Sequence, residues 1–462
     1  EFAEIAQLGG ELDRQIVVLI ARVADENAGE NFLDLLTGGM GMLFQQVYSL
    51  MDTIIVGQAL GVNALAGVGA TGIISFLIIG FCLGVCNGFG LPIAQRFGAK
   101  DYKSLKKYVG NAYALSIIIA IIMTVLTVIF CRDILVLMQT PDDIIDLSYS
   151  YLIVIFAGIP ATILYNLLSS YLRSLGDSVT PVVFLILSAV LNIGLDLLFI
   201  LTFDMGVFGA GLATIISQGI SGVLCLIYIL KKVELLHITR DDWKLDSCCV
   251  KNLVIMGFPM GFQYSITAIG SVILQAAVNT LGSIAVASMT TASKISMFSM
   301  CPFDALGSTM ATYGGQNVGA GKLDRLGKGV RSATIIGSIY SVVIFIVLYF
   351  FSNNIALLFV SASETTVIAQ ARQFLLINVF FYIALALVNI VRFMIQGMGF
   401  SGFAVLAGVA EMIARAMIGL IFVPIFGFVA ACFASPLAWI FADAFLIPAF
   451  FYCRKRLMRR MG

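Results

Sequence analysis

The feature that most constrains this chain is a series of apolar runs, each long enough to cross a bilayer, separated by short polar connections. A transmembrane helix needs about 20 consecutive apolar residues. Runs of that kind fall near 32–58, 64–95, 105–131, 145–171, 179–203 and 208–231. They resume near 250–280, 285–316, 328–352, 367–396, 402–426 and 428–453. Only 11% of the residues are charged and 60% are hydrophobic, whereas a soluble domain carries about 25% charged residues. In hydrocarbon every backbone polar group needs an internal partner, so runs like these become helices. The expected fold class is an all-α polytopic membrane protein with twelve transmembrane helices.

The connections sort by charge. One set carries Arg96, Lys100, Lys103, Lys106, Lys107, Arg173, Lys231, Lys232, Arg240, Lys244, Lys251, Lys322, Arg325, Lys328, Arg331 and the tail around Arg454 to Arg460. The alternate set holds only Arg132 and Arg372 among acids such as Asp133, Asp142, Asp143, Asp204 and Glu364. Basic loops stay on the cytoplasmic side, so both termini are expected there, in a prokaryotic cell membrane. The net charge of +1 offers nothing to nucleic acid. Residues 1–36 are acidic and atypical, with one short apolar run, Ile16 to Ala24, broken by Arg22. They suit a surface helix or a segment foreign to the rest, and no cleavable signal peptide is expected from them.

The chain repeats itself. LGVNALAGVG (60–69) leads to AQRFGAKD (94–101), and LGSIAVASMT (281–290) leads to GGQNVGAGK (314–322). Gln95 and Gln316 therefore correspond, as do LRSLGD (172–177) and MIQGMG (394–399). Each half has six spans, so both halves enter from the same side. The expected relation is a pseudo-two-fold along the membrane normal, with a cavity between two six-helix bundles. The units are residues 37–231 and 250–455, a linker loop at 232–249 and a basic tail at 456–462.

Few polar residues lie inside the spans, and such residues are functional candidates because each charge is costly there. Asn192 and Asp196 share one face of the fifth span, four residues apart. Asp52 stands in the outer half of the first span, one helical turn after Tyr48. Thr214 falls at similar depth in the sixth span. Two carboxylates, an amide, a phenol and a hydroxyl thus reach one level, a set of oxygen ligands suited to a proton or a hard cation. The second half differs. Glu411 and Arg415, again four apart, read as an intrahelical ion pair, and Lys294 and Asp304 leave cavity or packing roles open. GAGK (319–322) is no phosphate loop, since Leu323 stands where Ser or Thr is needed. The nine cysteines and single His237 show no ligand spacing. Two membrane aspartates also admit an intramembrane hydrolase, which the flanking residues do not support.

QQVYSLMDTIIVGQALG (45–61), AQRFGAKD, LRSLGDSVTP (172–181), NIGLDLLFI (192–200), GQNVGAGKLDR (315–325) and VRFMIQGMG (391–399) resemble the multidrug and toxic compound extrusion (MATE) transporters over about residues 38–455. The resemblance implies an antiporter, not an enzyme, that expels cationic amphipathic compounds in exchange for H⁺ or Na⁺ and needs no cofactor. A monomer in the bilayer is expected, with small drug-like cations as its partners. The family's cation site carries onto Tyr48, Asp52, Asn192, Asp196 and Thr214, with Asn166 beside them. Asp52, Asn192, Asp196 and Thr214 would hold Na⁺ in a sodium-coupled protein. The stretch after Pro259, MGFQYSIT, lacks the acid of the NorM-like branch, which makes the chain more like the DinF-like branch. The family's early first-span proline is replaced here by Thr37, followed by Gly38-Gly39. The alternative within the superfamily is a flippase of lipids or lipid-linked oligosaccharides, which would line its cavity with Arg and Lys.

Overall fold

The computed structural model describes residues 46, 51–52, 55–138, 140–142, 144–357, 360 and 363–461. Residues 1–36, Thr37, Tyr48 and Asp143 lie outside that set. Among the described residues every regular element is a helix. Helix at 55–60 ends the first span. The first half continues with α1 (Val62–Gly98), α2 (Tyr102–Ile129), the short α3 (Cys131–Leu137), α4 (Ile145–Ala157), α5 (Ile159–Ser174), α6 (Val179–Asp196) and α7 (Gly206–Lys232). The second half comprises α8 (Ser247–Asn279), α9 (Ser283–Gly319), α10 (Leu323–Ala356), α11 (Thr365–Phe380), α12 (Tyr382–Gly397), α13 (Ser401–Met417), the one-turn α14 (Val423–Phe426) and α15 (Phe428–Met461). Asp101 caps α2 by accepting from the Ser104 amide at 3.1 Å. Hydrogen bonds from Ser104, and then the nearby Arg96, hold its carboxyl below the usual carboxylate range.

Eight of these helices are long and apolar enough to cross a bilayer singly, and two bent pairs make ten. The spans expected at 145–171 and 367–396 are thus not continuous. The first bends by 49° between α4 and α5, the second by 51° between α11 and α12. Pro160, in the first turn of α5, lacks the amide that would carry the ladder through Gly158. The second break, at Phe381, has no proline beside it. With 37 residues α9 is long enough for an eleventh span. It is too polar to pass as apolar because Thr290, Lys294 and Asp304 lie on its exposed stripe. The end of the first span completes the twelve-helix fold of two six-helix bundles.

The repeat survives in backbone detail. Both α1 and α9 have 37 residues and follow a glycine with positive φ, Gly61 at 85° and Gly282 at 93°. Both α5 and α12 have 16 residues and follow a break. Both α6 and α13 run on as π-helices, Leu197–Thr202 and Ile418–Phe422. One apolar core gathers Phe89, Phe156, Leu168 and Tyr171, the other Phe303, Tyr382, Trp439 and Leu446. The division between the cores runs through α8, whose Leu253 belongs to the first and Leu274 to the second.

The bundles touch where glycine allows it. Gly84 and Gly88 of α1 cross Gly257 and Gly261 of α8, a small-xxx-small contact. A Cβ on Gly84 would stand 2.6 Å from the Met260 carbonyl, and one on Gly88 2.5 Å from the Gly257 Cα. Nearer the basic end two pseudo-equivalent bonds tie the halves. Gln95 Nε2 donates to the Gly397 carbonyl at 3.0 Å, and Gln316 Nε2 to the Ser174 carbonyl at 3.0 Å. Gly98 lies flat on Gln316, and Gly319 on Gln95, with no room for a methyl. The other end is open. In α1 the stretch from Gly88 to Ala94 is buried, whereas Ala66, Gly69, Ala70, Ile73 and Phe76 are exposed. In α9 Phe303 and Ala305 to Gly307 are buried, whereas Ile284, Ala287, Thr290, Lys294 and Met297 are exposed. The two halves therefore frame a cleft that narrows toward the basic end.

Gly98→Ala and Gly319→Ala should each prevent that end from closing. In protein carrying Cys248→Ser and Ser174→Cys, either alanine should speed maleimide labelling of residue 174 at least about tenfold. Unchanged labelling would mean that the glycines do not set the closed contact.

Candidate functional site

Asp196 is the last α-helical residue of α6, and the wider π turn follows at once. Such turns often mark functional positions. Asn192, one turn earlier, is on the same face. Asp196 is 0% exposed, Asn192 1% and Asp52 8%. Asn192 Nδ2 donates to Thr214 Oγ1 of α7 at 3.3 Å, and that hydroxyl donates to the Ala210 carbonyl at 3.1 Å. Asp52 and Asp196 lie close enough for their carboxyls to interact directly. Four of the sequence-derived candidates therefore converge: Asp52, Asn192, Asp196 and Thr214.

The polar atoms do not balance. Among the described residues both Oδ atoms of Asp196, Oδ1 of Asp52 and Oδ1 of Asn192 are buried with no donor. Native interiors rarely leave so many acceptors unmet. Two unit charges about 4 Å apart repel by about 4 kcal/mol at an effective dielectric of 20. The pair is thus built to take something positive, a shared proton or a small cation held by oxygen.

Asn166 is not part of this convergence. Its Nδ2 donates back to the Thr162 carbonyl at 2.8 Å, on its own helix. Thr162 in turn donates through Oγ1 to Gln218 Oε1 at 2.7 Å. Gln218 stands one turn beyond Thr214 on α7 and escaped the sequence reading, although the four-residue spacing was available. Tyr48 lies outside the described residues.

In the second bundle a buried carboxylate meets cations supplied by the chain itself. Glu411 and Arg415 do pair within α13, at 3.4 Å. Arg392 of α12 also donates to Glu411, so the carboxylate bridges two helices and two guanidiniums. All three side chains are buried. Sequence reading does not reach the Arg392 contact, because it joins distant parts of the chain. Asp443 of α15, which that reading passed over, is 8% exposed, and it and Asp304 lie within electrostatic reach of Arg392. Asp304 Oδ1 accepts from Asn389 Nδ2 at 3.3 Å. Gln396 donates to Gln263 at 2.5 Å nearby. Lys294 is exposed on the stripe of α9 that carries Asp304. In the second half Met417 occupies the place of Asp196, immediately before the π turn. Among the described residues Asp443 Oδ1 is likewise buried without a hydrogen-bond partner, but Arg392 lies within its electrostatic reach, whereas Asp52 and Asp196 have only each other.

This fold and buried polar site suit a polytopic helical membrane transporter, and the family match makes it a transporter and not an enzyme. The MatE family model matches residues 39–198 and 259–425, and the chain belongs to the MATE family. It is 30% identical over 348 residues to the probable multidrug resistance protein YoeA of Bacillus subtilis, covering 74% of this chain and 75% of that one. A FAD transporter of Shewanella oneidensis is 24% identical over 318 residues, 68% of this chain and 70% of that one. A solved multidrug resistance MATE family transporter in an outward-facing conformation superposes with a TM-score of 0.87 at 22% identity, over 93% of this chain and 96% of that one. Small molecules are the cargo of such transporters, and the bilayer is their setting.

The two kinds of buried carboxylate should respond oppositely to neutralisation. Glu411→Gln leaves two guanidiniums uncompensated and should cost about 3–5 kcal/mol of stability. Asp196→Asn removes one of two repelling charges and should leave the melting temperature unchanged or raised. Thermal unfolding in detergent would check this, and equal losses in both variants would remove the distinction.

Proposed function

We propose that the protein is a secondary active exporter that expels cationic amphipathic compounds in exchange for H⁺ or Na⁺. The observation that carries this reading is the buried contact of Asp52 with Asp196 and its unmet acceptors. The pair takes one proton, or one Na⁺ ligated by carboxylate oxygens with Asn192 Oδ1 and Thr214 Oγ1 completing a hard oxygen shell. Either event removes net negative charge from the first bundle. That weakens its attraction for a cationic cargo and favours release. The basic end faces the cytoplasm on this reading, as positive-inside loops require. The cleft then opens outward, and the Gln95–Gly397 and Gln316–Ser174 bonds close the inner end. Exposed Met297 and the cleft-facing Asp304 supply an adaptable apolar surface and a second acidic contact for cargo. The flippase alternative and a flavin-nucleotide cargo would both call for cationic cleft walls. Among the described residues of α9, Lys294 stands alone against Asp304 on that stripe.

Proteoliposomes loaded with a cationic dye separate the coupling ions when a sodium gradient and then a pH gradient is imposed. Asp196→Asn mimics the permanently protonated state. It should insert and fold normally, bind dye weakly and lose gradient-driven efflux by at least about tenfold. Asp52→Asn should behave alike, whereas Glu411→Gln should keep its coupling in whatever fraction stays folded. Efflux by Asp196→Asn at the wild-type rate would move the coupling site to the second bundle, around Lys294, Asp304 and Glu411.

A further inference from the structure

A groove of about 490 Å³ opens between the basic ends of α10 and α15. It exists because both helices pack along α12 but scarcely against each other. Leu387 and Val391 of α12 form its floor. On α15, Ile447 and Phe451 line it while remaining 38% and 60% exposed, a wall that faces hydrocarbon. Its polar end carries Lys328 and Arg331 from α10 and Arg454 from α15. Gly327 makes room there, since a Cβ would press on Arg454 Nη1 at 3.1 Å.

Among the described residues the two arginines at that end are poorly balanced from within. Arg454 Nη2 is 3.9 Å from Asp324 Oδ1, a long contact to a carboxylate whose side chain is 95% exposed. Such pairs contribute about 0–1 kcal/mol. Arg454 Nε is buried and has no acceptor among the described residues. Arg331 is exposed and makes no ion pair among the described residues. Arg331 and Arg454 therefore stand over an apolar slot, with Lys328 beside them. Phe451 lies about one turn, or about 5 Å, deeper along α15 than Arg454. That offset matches a phosphate at the headgroup level with an acyl chain beneath it. A soluble anion would have no use for the exposed aromatic wall, and basic pockets between helices on this side of a membrane suit anionic headgroups.

We propose that this groove is a binding site for an anionic phospholipid of the leaflet on the basic side. The phosphate rests on Arg331 and Arg454, with Lys328 at the rim. One acyl chain lies along Phe451 and Ile447 above Val391. The site is separate from the carboxylate pair, and it would stand whether or not the protein exports cations.

The test uses the full-length protein in detergent, delipidated and then titrated with phosphatidylglycerol or with phosphatidylcholine of the same chains. Binding is read by native mass spectrometry and by the rise in melting temperature. Phosphatidylglycerol should bind and stabilise, and phosphatidylcholine should do so far less. Arg331→Gln with Arg454→Gln should weaken phosphatidylglycerol about thirtyfold, from loss of two basic contacts. Arg459→Gln with Arg460→Gln, on the same helix beyond the groove, should weaken it less than about threefold. The proposal is overturned if both lipids bind alike, or if the distal pair matters as much as the groove pair. It is also overturned if glycerol phosphate protects as well as the lipid at equal concentration, which would make the site one for soluble anions.

Discussion

The cost of holding charge in a low-dielectric slab orders the whole molecule. Each ionised group at membrane depth must sit at an end, face water or find a counter-charge. The lysines and arginines of the loops take the first course. Asp304 and Lys294 take the second, on a stripe of α9 that makes this helix too polar to look like a span. Arg392, Glu411 and Arg415 take the third. Asp52 and Asp196 take none of these, and that exception singles them out more firmly than any motif.

Much of this was legible in the sequence because it is periodic or local. Apolar runs of bilayer length place the spans. The shared offset of Gln95 and Gln316 gives the repeat, and the structure turns that offset into two matching hydrogen bonds across the halves. The four-residue spacing of Asn192 and Asp196 put them on one face, where they are found. Contacts between distant positions were not legible. Arg392 meets Glu411, and Asp443 approaches Arg392, only through the packing of α12, α13 and α15. The bend at Phe381 has no local signal, whereas Pro160 could have marked the bend at Gly158. Asn166 was placed in the site by family likeness, but its amide is spent on the Thr162 carbonyl.

The two bundles are copies in backbone and opposites in electrostatics. Both carry a broken fourth span and a π turn after their fifth. In the second bundle Met417 precedes that turn, and the nearest carboxylate, Glu411, is held by two guanidiniums fixed to the chain. In the first bundle Asp196 precedes it, and among the described residues no cationic side chain satisfies the acceptors. A counter-ion tethered to the protein cannot leave, so it stabilises one structure permanently. A counter-ion drawn from solution can leave, so its binding energy is available to bias one state over another. Duplication followed by tethering on one side would leave a single exchangeable site in an otherwise symmetric frame.

The magnitudes fit such a device. The two glutamine–carbonyl bonds at the basic end are neutral hydrogen bonds, worth about 1 kcal/mol each in net terms. The glycine contacts beside them add packing but no charge. Neutralising one of two touching buried carboxylates relieves repulsion of about 4 kcal/mol at an effective dielectric of 20. Occupancy of the carboxylate pair thus changes the free energy by an amount comparable with those two bonds, enough to bias the closed end. A much stronger clamp, such as a buried ion pair across Gln95 and Gln316, would outweigh the ion and lock the cleft in one state. The neutral character of the contacts at Gln95 and Gln316 is therefore as necessary to exchange as the charge in the first bundle.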